Sequence, residues 1–193
     1  MMRQIVDIAG PSGIGKNSVI DALVSRNAKC TRLVTATTRS PREGEKQAQD
    51  YYFFSEEDFL KELGAGNILE HRDVQALGTH YGVYKPDLEG RLLEGRVILA
   101  QLDIIGARYL KKHYDAVTIF LQPESSDILK KRILARKKDM SEVELAERMN
   151  IAEREMHEDA KEFDYEVVNV EGKLEETVNE VVAILEKEGY NLE

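Results

Sequence analysis

The sequence predicts an α/β fold in which helices flank a parallel core sheet. One observation is that the apolar residues 4–9 lead into a glycine-rich turn and then into a helical pattern over residues 16–27. A second is that residues 97–102 and 116–121 have the continuous hydrophobic character of buried parallel strands. Because helical patterns lie between these runs, we expect neighbouring strands to point in the same direction.

The remaining core elements follow from the same reading. The first predicted helix places Val19, Ile20, Leu23 and Val24 on one side, which is the apolar stripe of a helix that packs on a sheet. A fourth core strand is predicted at residues 166–170, after a long charged segment. Both predictions support one sheet wrapped by helices.

Two stretches interrupt the alternation of strands and helices. Residues 32–83 contain short strand-like pieces joined by polar turns, and we interpret them as an inserted lobe that binds an acceptor substrate. Residues 125–162 are rich in charge and in helix-forming residues, and we interpret them as a helical lid, with a solvated helical face as the alternative. We expect residues 1–193 to form a single domain. Its core would comprise residues 1–31, 84–124 and 163–193.

Composition restricts the classes of function. Of the 193 residues, 42% are hydrophobic and 33% are charged, as in ordinary globular proteins. The net charge of −9 repels the nucleic-acid backbone, so we expect no nucleic-acid partner. The lone Cys30 provides no disulfide framework, and no apolar run reaches membrane-spanning length. We therefore expect a cytoplasmic protein without a membrane partner, as a monomer or a homodimer.

The turn after the first strand has the spacing of a phosphate-binding loop. Gly10, Gly15 and Lys16 match G-x-x-x-x-G-K, in which glycines allow backbone N–H groups to point at phosphate oxygens. The following helix would add its positive N-terminal end, and Lys16 would add a charge near the β- and γ-phosphates. The alternative is a glycine-rich turn with no ligand. The predicted nucleotide-binding residues are Gly10, Pro11, Ser12, Gly13, Ile14, Gly15, Lys16, Asn17 and Ser18.

Asn17 occupies the position at which this motif usually has a serine or threonine. The usual hydroxyl is a ligand of Mg²⁺, and an amide oxygen is also a hard neutral donor. Because the amide is longer, we expect a weaker or water-mediated contact with Mg²⁺. Ser18 is expected to point elsewhere on the helix.

A second phosphate-binding pattern lies in TATTRSPREGE, residues 35–45. Arg39 and Arg42 flank Pro41, and Tyr51 follows shortly afterwards. Two guanidinium groups and a phenol can hold one phosphate through charge-assisted hydrogen bonds. Two solvent-facing loop arginines are the alternative.

These motifs occur in an order that resembles the guanylate kinase family. The phosphate loop is followed by TTRSPREGE, DYYF, Glu70 and then Tyr81-Gly82. Further along, VILAQLDIIGA resembles that family's central strand, LKKRILAR and AERMNIAERE its lid, and FDYEVVN its last core strand. The resemblance implies a P-loop kinase fold.

The resemblance also implies an activity, the transfer of the γ-phosphate of ATP to GMP or dGMP with Mg²⁺ as cofactor. By motif position, Asp103 would lie near both metal and acceptor, with Asn17 as the other metal ligand. Asn169 would touch the adenine of ATP. The acceptor phosphate would be bound by Arg39, Arg42, Tyr51 and Tyr81, guanine would be read by Thr35 and Glu70, and the transferring group would be neutralised by Lys16, Arg136 and Arg148.

The chain departs from the family pattern at several positions. Val83 stands where a hydroxyl residue usually helps to read the base, and Gln101 replaces an acidic residue. One extra residue in the lid would let Lys137 take the role assigned to Arg136. Two other functions therefore stay open. One is a related P-loop kinase that acts on ribose bisphosphate, and the other is a catalytically silent module that binds a phosphorylated or acidic peptide.

Overall fold

The computed structural model describes residues 3–74, 78–136 and 140–192, and its strands form two sheets. Numbered along the chain, the strands are β1 (Ile5–Ala9), β2 (Cys30–Arg32), β3 (Ala36–Thr37), β4 (Tyr52–Phe53), β5 (Ile68–Val74), β6 (Thr79–Tyr84), β7 (Val97–Ala100), β8 (Val117–Gln122) and β9 (Tyr165–Val168). The core sheet has the order β2-β7-β1-β8-β9, and all its neighbouring strands are parallel. The α/β fold with a parallel sheet is therefore confirmed.

The described helices pack around the two sheets and against one another. They are α1 (Lys16–Arg26), α2 (Glu56–Gly64), α3 (Lys85–Leu93), α4 (Ile104–Tyr114), α5 (Ser126–Arg136), α6 (Glu142–His157) and α7 (Leu174–Lys187), with a 3-10 turn at Asp159–Glu162. Among the described helices, none has the length and apolar character needed to cross a membrane.

The side chains of β1 alternate between two hydrophobic cores. Val6 and Ile8 pack with Leu23 of α1 and Val181 of α7 on one face of the sheet. Ile5 packs with residues of α3 and α4 on the other face. The burial of β1 on both faces accounts for its continuous apolar run and places its carboxyl end at the centre of the sheet edge.

The smaller sheet has the order β4-β3-β6-β5 and is built from residues 36–84. Its aromatic residues alternate in direction as expected for a strand. Tyr52 packs against Tyr84, with ring centroids 4.5 Å apart, and its hydroxyl donates to Asp87. Tyr51, by contrast, lines a cavity between the two sheets.

The predicted core strands differ from the observed ones mainly at their ends. The strand expected at residues 166–170 is β9, which ends at Val168; the side chain of the next residue, Asn169, contacts the phosphate loop. Helices α5 and α6 occupy the segment interpreted as a lid. The division into core, acceptor lobe and lid stays a proposal.

Candidate active site

The phosphate loop joins β1 to α1 at the carboxyl edge of the core sheet. Gly15 has a φ of 103°, and a Cβ atom there would lie 2.7 Å from the Nδ2 of Asn169. Gly10 has a φ of 137°, and its Cβ would lie 2.6 Å from the carbonyl oxygen of Leu121. Both positions therefore require glycine for conformation and for space.

Lys16 folds back over this loop. Its Nζ donates to the carbonyl oxygens of Gly10 at 2.5 Å and Pro11 at 3.1 Å. The ammonium group is thus held beside the phosphate loop at the start of α1, a helix end whose first N–H groups have no partner within the helix. This arrangement can stabilise a bound polyphosphate.

Lys16 and Asn17 line a cavity of about 450 Å³, which we call the phosphate cavity. The phosphate loop forms one wall and residues 101–105 form another. Arg154 and Glu155 of α6 close it from the lid side. Asn17 and Asp103 therefore line the same space, and an amide and a carboxylate are hard oxygen donors that fit Mg²⁺ bound mainly through nucleotide phosphates.

A second cavity of about 250 Å³, the acceptor cavity, lies between the two sheets. Thr35, Tyr51, Glu70 and Tyr81 line it, together with Gly82 of β6. The Oε1 of Glu70 is buried and has no hydrogen-bond partner among the described residues. Burial and then the charge of Asp103 raise the pKa of Glu70 to about 7, although the charge of Arg72 opposes the shift. The carboxylate is thus available to a ligand.

The two cavities adjoin each other. They share a wall made of Arg72, Gln101, Leu102 and Asp103. Asp103 caps α4 by accepting from the N–H groups of Ile105 at 3.0 Å and Gly106 at 3.2 Å. Its other oxygen accepts from Arg72 at 2.7 Å. A ligand in each cavity would meet its neighbour at this wall.

Comparison with known proteins identifies the family. Residues 1–188 match the family model described as guanylate kinase. The chain belongs to the guanylate kinase family. The predicted resemblance is thereby confirmed.

Individual relatives in the guanylate kinase family cover almost the whole chain. A guanylate kinase from Synechocystis sp. is 34% identical over 96% of this chain and 94% of its own length. One from Clostridium perfringens strain SM101 is 36% identical over 94% of this chain and 82% of its own length. The crystal structure of guanylate kinase from Anaplasma phagocytophilum has a TM-score of 0.73 at 29% identity, and the match covers 98% of this chain and 88% of that one.

The arginines of the guanylate kinase motif lie beside the acceptor cavity rather than in its wall. Both terminal nitrogens of Arg39 donate to Glu45, each at 2.9 Å. Its guanidinium carbon lies 5.3 Å from the ring centroid of Tyr51. Arg42 is exposed, and its backbone N–H donates to the same carboxylate at 2.7 Å. Glu45 therefore organises the turn that carries both arginines.

Asn169 ties the last core strand to the phosphate loop. Its Nδ2 donates to the carbonyl oxygen of Ile14 at 2.6 Å, and its Oδ1 accepts from Thr177 at 3.0 Å. Arg132 of α5 donates to the carbonyl oxygens of Asn169 at 3.1 Å and Ile14 at 3.3 Å. Asn169, Arg132 and Ser18 line a third cavity of about 320 Å³ on the outer side of the loop. Ser18 thus points away from the phosphate cavity, as predicted.

Arg148, one of the lid arginines predicted from the guanylate kinase pattern, lies away from the site. Arg148 donates to Glu144 on its own helix, at 3.0 and 3.2 Å, and lines none of the three cavities. The side chain of Arg136 and the whole of Lys137 lie outside the described residues.

The two departures from the guanylate kinase pattern have different surroundings. Val83 is fully buried in the hydrophobic core with Leu33 and Leu88, and it does not line the acceptor cavity. Gln101 lines both cavities and is exposed. Val83 therefore packs in the core and offers no hydroxyl to the base. Gln101, in contrast, lies in the wall of the site.

Sequence reasoning missed two charged residues of this site. Arg72 follows Glu70 by two positions on β5, and strand alternation alone would have placed both on one face. Asp7 lies on β1 with no exposed surface, and its Oδ1 accepts from the N–H of Leu102 at 2.9 Å. Its Oδ2 has no partner among the described residues, and burial raises the pKa of Asp7 to about 8. The sequence feature that could have identified Asp7 is a single acidic residue inside an apolar run.

Proposed function

We propose that this protein transfers the γ-phosphate of ATP to GMP or dGMP and releases ADP and GDP. The observation that carries the proposal is the shared wall of the two cavities. Lys16 and the phosphate loop line the first cavity, and Glu70 and Tyr81 line the second. Two nucleotides bound in this way would present their phosphates to each other in line, which phosphoryl transfer requires.

Selection of guanine would rest on Glu70. An ionised carboxylate can accept from both the N1–H and the 2-amino group of guanine, whereas adenine offers no such pair of donors. Adenine would leave a half-buried carboxylate without a partner, and the cost of that loss disfavours AMP as the acceptor. Thr35 lies in the same cavity and supplies a hydroxyl.

The acceptor's phosphate would be held from the other side of this cavity. Tyr51 and Tyr81 line it with ring centroids 6.0 Å apart, and Arg39 lies against Tyr51. Arg39 could exchange Glu45 for a phosphate, and the exposed side chain of Arg42 on the same turn could join it. The acceptor oxygen is already anionic, so the reaction needs positive charge and alignment more than a general base.

Mg²⁺ would be held by the phosphates of ATP together with Asp103, and by Asn17 directly or through water. When bound, the ion neutralises charge on the β- and γ-phosphates. Lys16 supplies the protein's own positive charge at the same place. Closure of α5 and α6 over the phosphate cavity would bring Arg136 and Arg148 nearer and exclude water from the reaction.

A coupled assay of ADP formation tests the proposal. We expect turnover with ATP and GMP, slower turnover with dGMP, and little with AMP or ribose bisphosphate. The matched variant Lys16→Met should lose activity while retaining the native circular dichroism spectrum. Preferential use of ribose bisphosphate would instead indicate the related P-loop kinase, and failure to bind ATP with or without Mg²⁺ would indicate the silent binding module.

A further inference from the structure

Arg72 lies at the boundary between the two cavities. It belongs to β5 and is one of the four residues that line both spaces. Arg72 and Glu70 both line the acceptor cavity, so the two side chains reach the same side of the smaller sheet. No residue of the predicted phosphate-binding motifs occupies this position.

The charge of Arg72 acts on carboxylates in both cavities. It lowers the pKa of Glu70 in the acceptor cavity, against the larger effect of burial. Burial likewise raises the pKa of Glu155 in the phosphate cavity; the charge of Lys16 opposes that shift most strongly, and Arg72 adds a smaller opposing effect. Glu70 lines one cavity, Glu155 lines the other, and Arg72 lines both.

Arg72 is not needed to fix Asp103. One oxygen of Asp103 is already held by two N–H groups at the start of α4. The Arg72 side chain is 49% exposed, and an ion pair of this kind contributes at most about 1 kcal/mol to stability. The guanidinium can therefore exchange Asp103 for a stronger anion without disturbing α4.

We infer that Arg72 is a further catalytic residue, which binds the phosphoryl group while it passes from ATP to the acceptor. This inference rests on the proposed function. An oxygen of the acceptor's phosphate forms a bond to the γ-phosphorus, and the bond from that phosphorus to the bridging oxygen breaks, leaving its electron pair on ADP. Arg72 donates N–H groups to the oxygens on which charge develops, and it exchanges no proton.

Steady-state kinetics of Arg72→Ala and Arg72→Lys test this role. Arg32→Ala is the matched control, because Arg32 lies on β2 and pairs with Asp21 away from the cavities. At a pH well above 7, where Glu70 stays ionised, we expect Arg72→Ala to lower kcat by about 100-fold, with the dissociation constants of ATP and GMP changed by less than about threefold. Arg72→Lys should retain part of the rate, since it keeps the charge without the planar fork.

Chemical rescue distinguishes catalysis from support of the fold. Guanidinium chloride at non-denaturing concentration should restore part of the kcat of Arg72→Ala, whereas the same concentration of sodium chloride should not. Arg32→Ala should respond to neither salt.

The possible failures are separable. If the wild type forms no GDP, the proposed function and this inference both fail. If the wild type is active and Arg72→Ala matches Arg32→Ala, the inference alone is overturned. A loss of kcat that guanidinium does not rescue, accompanied by a lower melting temperature, would also overturn it.

Discussion

Glu70 is a single residue whose surroundings oppose its proposed task. It must be ionised to accept two N–H groups from guanine, yet burial and Asp103 raise its pKa to about 7. Below that pH the carboxyl group is increasingly protonated and can no longer accept from both donors. The pKa of Glu70 should therefore appear in the kinetics of the acceptor.

We expect kcat/KM for GMP to fall as the pH decreases through about 7, because this parameter reports ionisation in the free enzyme. Glu70→Gln should lose this step and should lower kcat/KM at pH 8 roughly 100-fold, as for the loss of one or two charge-assisted hydrogen bonds. Ionisation of the GMP phosphate affects both proteins equally. Identical pH profiles for the two proteins would show that Glu70 does not read the base.

Asn17 provides a second test with a single side chain. We expect the wild type to be active and Asn17→Ser to reach half-maximal rate at a lower Mg²⁺ concentration, because a hydroxyl makes the direct contact that the longer amide makes weakly. The measurement is the initial rate over a Mg²⁺ titration at fixed ATP. If serine activates an otherwise inert protein, Asn17 has switched the site off.

Most of the site residues could be predicted from short motifs. The others could not, because only the folded structure brings them to the site. The spacing of Gly10, Gly15 and Lys16 was sufficient to predict the phosphate loop. Arg72 belongs to no motif, and its importance depends on how β5 approaches the start of α4. The burial of Val83 could not be predicted either, because the alternation of residues along a strand does not show which side of β6 meets α3.

At the level of elements, four strands of the core sheet were predictable because each contains an apolar run bounded by polar turns, whereas β2, with the sequence CTR, has no such run and was missed. The short strands β3 and β4, with two residues each, carry too little pattern to be located from sequence. Their pairing is set by long-range contacts with β6 and with each other. The sequence thus predicted a separate lobe without its strand order.

Asp7 in strand β1 makes the stability of the folded protein depend on pH. Its pKa of about 8 in the folded protein exceeds the value of about 4 expected in the unfolded chain. Between these values the folded state keeps a proton that the unfolded state has released, so stability decreases as the pH rises from about 4 to 8. Asp7 therefore lowers the free energy of unfolding by at most about 1.4 kcal/mol for each pH unit in this range.

Asp7→Asn should remove this contribution, because the amide keeps an oxygen for the N–H of Leu102 and does not titrate. Urea unfolding at pH 5, 6, 7 and 8 would measure it as a shallower dependence of the unfolding free energy on pH. Arg32→Ala serves as a control for the loss of a charge elsewhere. Equal slopes in the wild type and Asp7→Asn would mean that Asp7 is ionised in the folded protein.

At the scale of the whole molecule, an acidic chain surrounds a cleft whose charges are balanced. The net charge is −9, whereas the phosphate cavity is lined by three cationic side chains (Lys16, Arg72 and Arg154) and three acidic ones (Asp103, Glu155 and Asp159). A cleft that is less negative than its surroundings can admit anionic nucleotides although the protein as a whole repels them. The central claim is that two such nucleotides bind end to end across the shared wall.

Calorimetric titration with adenosine and guanosine joined through five phosphates tests that claim most directly. One such molecule would fill both cavities, so we expect one site per chain and a dissociation constant at least about 100-fold below those of ATP and GMP. The ligand should also prevent the binding of either nucleotide. Affinity no greater than that of ATP alone would contradict the account, because the two cavities would then not hold their ligands in line.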